Sequence, residues 1–217
     1  MSLPKTFRNV PEKVLASYNG IDLATGRGIA KFYLGDSSSG YALNSNVFFG
    51  NMGYTEDAGS PTYLLDIDFD KTLEKPLVIE GDAIVCLTPC LGQTGGGGLH
   101  TWTWNVAFSK WDGTTETILA NRDFDINTPN WPSTGYRVFK KTISLTIPKT
   151  KFKIGDTIRV TVKNEGDADG SWFHLLGHDP KNRADLETPD GSPVINWALE
   201  SRTGSESFVL IPILVDL

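Results

Sequence analysis

Asp66-Ile-Asp-Phe-Asp70 sets three carboxylates at alternate positions. Two carboxylates flanking a glycosidic bond can act as acid and nucleophile. In a strand, Asp66, Asp68 and Asp70 would share one face, with Leu65, Ile67 and Phe69 on the other. The same row also reads as a solvent face of acids that blunts a sheet edge. His174-Leu-Leu-Gly-His178 has the spacing of a helical zinc pair, but Leu175 stands where the glutamate would be, in a strand-like segment beside Gly177. Asp167 and Asp169 lie in a Gly-flanked loop without the glycine and terminal glutamate of a calcium hand. Gln93-Thr-Gly-Gly-Gly-Gly98 lacks the Lys-Ser/Thr of a phosphate loop. The residues therefore nominate no catalytic set, no metal site and no cofactor.

Aromatics are the other candidates. Trp102 and Trp104 share a face with Val106 and Phe108, which assigns them to a core. Trp111, Trp131 and Trp197 fall in turns or loops, where they could cover a core edge or form a platform for a glycan or a protein partner.

The elements that must position these residues are strands. A period of two recurs at Ile143, Leu145 and Ile147, again at Ile158, Val160 and Val162, and in the closing Phe208–Leu217 segment. Strands are expected near 28–34, 62–70, 77–88, 100–110, 115–121, 136–147, 157–163, 171–176 and 207–216. Asp112-Gly113 predicts a hairpin of type I′, because glycine supplies positive φ. Gly35–Gly40, Gly50–Gly53 and the Pro-, Asp- and Asn-rich stretch His178–Arg202 read as loops. The expected fold is all-β, an antiparallel β-sandwich of jelly-roll type. Residues 1–26 are expected to be an N-terminal arm or a short first helix starting at Pro11-Glu-Lys, and residues 27–217 a single sandwich domain. Within the arm, Phe7, Val10, Val14, Leu15 and Tyr18 are apolar among polar neighbours. Phe7, Val10, Leu15 and Tyr18 are therefore candidates for binding a partner.

With 217 residues the chain can bury a full core without staples. A net charge of −6 and a pI near 5.1 argue against a nucleic-acid partner. Met1–Val10 lacks the apolar run of a secretory leader, and no run reaches membrane-spanning length, so no membrane partner is expected. Cys86 and Cys90 would lie about 13 Å apart in an extended segment, too far to bridge, and are expected as buried free thiols.

Three resemblances follow. Phe32-Tyr-Leu-Gly-Asp-Ser37 resembles the Gly-Asp-Ser block of lipolytic hydrolases. The residues three before His100, His174 and His178 are Gly97, Ser171 and Leu175, so the Asp-x-x-His of that family is missing. Asp66–Asp70 resembles the Glu-x-Asp-x-Glu strand of laminarinase-type glycoside hydrolases, with Asp at both outer positions. Segments 17–35, 175–183 and 210–217 together resemble uncharacterised proteins encoded near capsid genes of tailed phages and related environmental viruses. That resemblance implies a structural virion protein, a head-decoration or minor capsid protein with a jelly-roll fold, and it carries no functional residues. Since no serine, cysteine or carboxylate has a partner set, no enzymatic role is expected. Its partners would be the major capsid protein or other virion subunits. It implies a homo-oligomer, a trimer being favoured, located in the virion after assembly in the host cytoplasm. A carbohydrate-binding sandwich is the alternative, with a laminarinase-like hydrolase behind it.

Overall fold

The computed structural model describes residues 16–17, 27–37, 40–45, 54–55, 65–93, 100–128, 135–165, 172–177 and 207–214. They form thirteen strands: β1 (Ala16–Ser17), β2 (Arg27–Ser37), β3 (Gly40–Asn44), β4 (Tyr54–Thr55), β5 (Leu65–Thr72), β6 (Leu77–Gln93), β7 (His100–Trp111), β8 (Glu116–Thr128), β9 (Gly135–Val138), β10 (Lys141–Phe152), β11 (Thr157–Glu165), β12 (Trp172–Gly177) and β13 (Phe208–Leu214). No helix occurs among the described residues. The all-β expectation holds.

Strands run in the order β10–β6–β13–β2–β3, then β5–β11–β7–β8. Every pair is antiparallel except β3 and β5, which meet in parallel at Ala42 and Asp70. The sheet curls until its two ends approach, making a nearly closed barrel. Lysines span the seam where no backbone ladder forms. Lys141 Nζ of β10 donates to the Asp125 carbonyl of β8 at 3.1 Å. Lys110 Nζ of β7 donates to the Lys151 carbonyl of β10 at 2.8 Å. Such side-chain bridges shield two open edges from further pairing.

Alternation explains the core. Ile67 and Phe69 of β5, Trp102, Trp104, Val106 and Phe108 of β7, and Ile158, Val160 and Val162 of β11 all point inward and are buried. Ile143, Leu145 and Ile147 of β10 join them in one continuous cluster. Trp104 stacks on Phe124 with ring centroids 6.3 Å apart. Burying one such indole removes about 200 Å² from water, worth roughly 5 kcal/mol by transfer.

One level of the sheet is deliberately irregular. The β10–β6 register shifts between Ile147 and Thr150, and the β13–β6 register between Leu210 and Ile213. The first break lies against Ile79–Gly81 of β6 and the second against Ile79–Ile84, so the two overlap at Glu80 and Gly81, and Gly81 takes φ +118. Pro148 and Pro212 sit at these breaks, which is where residues without an N–H can be held in a sheet.

Several boundaries differ from expectation. Gly35–Gly40 is not one loop: β2 continues to Ser37 and pairs it with Gly40, leaving only residues 38–39 between the strands. The single strand expected over 136–147 is two, β9 and β10, both against β6. The break lies opposite Pro89, which has no N–H; there the Phe139 N–H donates to the Pro89 carbonyl at 2.8 Å. The β7–β8 loop has four residues, not the two of a type I′ turn. Gly113 there has φ +95, and Asp112 Oδ1 accepts the N–H groups of Thr114 and Thr115 at 2.9 and 2.8 Å. Those donors hold the Asp112 carboxyl at about 2. β1 lies within the stretch read as an arm and pairs with Ile29 and Ala30 of β2. Cys86 is a free thiol as expected, but it is half-buried on the outer side of β6 instead of buried, its Sγ 3.7 Å from Thr142 Oγ1.

Candidate functional site

The outer face of β5–β11–β7–β8 gathers the polar side chains that the sequence nominated. The β5–β11 register sets Asp66 opposite Lys163, Asp68 opposite Thr161 and Asp70 opposite Arg159. Each pair is bonded. Lys163 Nζ donates to Asp66 Oδ2 at 2.8 Å, and Thr161 Oγ1 to Asp68 Oδ1 at 2.7 Å. Arg159 grips Asp70 with a two-bond fork, Nε to Oδ1 and Nη2 to Oδ2, both 2.8 Å. Its Nη1 also lies 3.0 Å from Asp68 Oδ2 and 3.3 Å from Glu116 Oε2. The hydrogen bond to Asp70, with the charges of Asp68, Asp70 and Glu116, holds the guanidinium well above its ordinary range despite partial burial. Lys163 is raised chiefly by its bond to Asp66.

The row continues on the next strand pair. Thr101 donates to Asn127 at 2.8 Å, Thr103 to Asp125 at 2.9 Å, and Asn105 Nδ2 to Asp123. Cross-strand pairs of this kind each add a few tenths of a kcal/mol to a sheet. Ser109, directly opposite Arg159, is fully buried, and its Oγ has no hydrogen-bond partner among the described residues.

Chemically, the three aspartates form a braced row and not a free pair of acids. Trp111 ends β7 instead of standing in a loop, and the Arg159 guanidinium lies 5.3 Å from its ring centroid. That face of the indole is therefore occupied by the guanidinium. Trp131, Trp197, Phe7, Val10, Leu15 and Tyr18 lie outside the described residues, as do Asp167, Asp169 and His178. Among the described residues no group of three His, Cys, Asp or Glu side chains could hold a metal ion. Sequence reasoning missed Arg159, Thr161 and Lys163, whose partners lie 89, 93 and 97 residues away. Their only local signal was that they alternate with Ile158, Val160 and Val162.

No protein-family model matches the sequence, and no curated protein matches it. Solved structures do match. A CocE/NonD family hydrolase from Staphylococcus aureus shares 14% identity at a TM-score of 0.51, over 84% of this chain and 36% of that one. An alpha-amino acid ester hydrolase matches at 13% and 0.51, over the same shares. An aminopeptidase from a marine sediment archaeon, Thaumarchaeota archaeon, matches at 11% and 0.50, over 87% and 37%. Infectious bursal disease virus, Gx strain, matches at 9% and a TM-score of 0.29, over 84% and 41%; a likeness at that score carries no argument. The chain thus spans just over a third of the hydrolases it matches, and the likeness is one of fold. These matches correct the expectation of no enzymatic role, since the structures just named at TM-scores of 0.50 and 0.51 are hydrolases by name or an aminopeptidase. The phage-head resemblance has no family model behind it.

Proposed function

We propose that this chain is a structural virion protein, a head-decoration or minor capsid protein that attaches to the major capsid protein or to other virion subunits. The observation that carries this reading is the commitment of Asp66, Asp68 and Asp70 to Lys163, Thr161 and Arg159, which makes the outer face a braced wall. A nearly closed barrel with one wall braced in this way keeps its shape when neighbours press on it, which suits a subunit of a particle. The resemblance in segments 17–35, 175–183 and 210–217 supports the same assignment. On this reading the chain is made in the host cytoplasm and resides in the virion. Immunogold labelling of purified particles with antibody to the chain is the test. Label on the heads of intact particles is expected, and label confined to the soluble fraction would overturn the reading.

A second reading is favoured by the matches at TM-scores of 0.50 and 0.51: the chain serves as a module in a hydrolase. On this reading the purified chain, alone or with the rest of such an enzyme, takes part in hydrolysis of an α-amino acid ester. Turnover that disappears in Asp66→Asn or Asp70→Asn would establish it over the virion reading. Turnover that survives both would separate it from this face.

A further inference from the structure

The two outer walls of the barrel differ in character. One is the polar row just described. On the other, β13 shows Phe208, Leu210, Pro212 and Leu214, and β6 shows Val78 and Ile84, all half-buried. Ile29 of β2, paired with Pro212, is 50% exposed. An antiparallel sheet that faced only water would show polar residues here. Charges flank this apolar strip with opposite signs. Arg27 and Lys31 stand on the β2 side, two residues either way from Ile29. Glu80 and Asp82 stand on the β6 side, level with Pro212. None of the four makes an ion pair among the described residues. The Lys31 ammonium rests over the rings of Phe208 and Tyr33, 4.1 and 4.4 Å from their centroids, and Asp82 accepts a bond from Thr146 at 2.7 Å.

We propose that this wall binds a second copy of this chain about a twofold axis parallel to β13. Rotation about that axis, lying in the interface plane, sets β13 on its own copy and β2 over the other copy's β6. Arg27 and Lys31, level with Val78 and Ile84 of β6, then bracket Glu80 and Asp82 of the other copy along the strand direction, within reach of long side chains, and the same match occurs twice, as twofold symmetry requires. The apolar strip supplies the desolvated centre, and the charges supply register and rim. A twofold axis across the strands would set β2 on β2 and bring like charges together, which selects the first arrangement. The result is a dimer, in place of the trimer that the phage resemblance implies. It does not depend on the virion reading, because the match of charges belongs to the wall itself.

Charge reversal in the full chain tests this, read by analytical ultracentrifugation. Wild type should sediment as a dimer at high micromolar concentration. Arg27→Glu with Lys31→Glu should weaken self-association about tenfold or more, and so should Glu80→Lys with Asp82→Lys. Mixing the two double variants should restore a dimer, because each then offers the charges the other lacks. Circular dichroism checks that both variants keep the strand signal. A monomeric or trimeric wild type would overturn the proposal, and so would a folded mixture that stays monomeric.

Discussion

Arg159 and Asp70 are joined by two parallel hydrogen bonds of 2.8 Å across 89 residues of sequence. A guanidinium fork matches a carboxylate in plane, so this pair is directional as well as charged. It ties β11 to β5, while the same guanidinium reaches Asp68 and Glu116. The Arg159 side chain is only 17% exposed, so its removal leaves carboxylates without a counter-ion at a partly dry surface.

Arg159→Met should therefore cost about 1–3 kcal/mol in urea unfolding, and Arg159→Lys should recover only part of it, since an ammonium cannot form the fork. Equal stability of all three proteins would show that the fork contributes nothing.

Asp156 should govern part of the acid limb of stability. It is buried beside Lys110, whose Nζ lies 2.8 Å away, and it accepts the Lys153 N–H at 2.6 Å. The bond from Lys110, then that from Lys153, lowers its pKa. A folded value below the unfolded one means that the stabilisation is present above about pH 4 and is lost as pH falls through the folded value. Unfolding free energy of Asp156→Asn, followed from neutral to strongly acid pH, should fall less steeply than that of wild type. Parallel curves would refute the assignment.

Gly81→Ala should cost about 1–3 kcal/mol, because φ +118 is a region that side chains rarely adopt. A Cβ there would meet Pro212 only at 3.6 Å, an ordinary contact. Trimming the proline should therefore give no relief, and a Gly81→Ala/Pro212→Ala double variant that regained wild-type melting would point to crowding instead.

Ser109→Ala should be neutral or stabilising by up to about 1 kcal/mol. Its buried Oγ makes no hydrogen bond among the described residues, so the hydroxyl carries a desolvation cost without a bond to offset it. A loss of more than about 1 kcal/mol in thermal unfolding would mean that the hydroxyl is satisfied, by water for instance.

The alternation of Leu65–Asp70, of Trp102–Phe108 and of Ile158–Val162 was legible in the sequence, and with it the fold class and much of the core. A two-residue period is a local property, dictated by the pleat, and it survives whatever partner a strand finds. The short strands β1, β3 and β4 were missed because two to five residues carry too little period to stand out from a turn. The division between β9 and β10 was missed because it depends on Pro89, a residue of a different strand. What Asp66, Asp68 and Asp70 do was decided only by tertiary structure. As residues they read first as a plain solvent face of acids, with the acids of a glycosidase as the lesser alternative. Register with β11 then set Lys163, Thr161 and Arg159 opposite them, and that register is fixed by which side chains of both strands must enter the core. The opposite wall has the same origin. Arg27 and Lys31 on β2, and Glu80 and Asp82 on β6, become the two margins of one apolar strip only because β13 inserts between their strands.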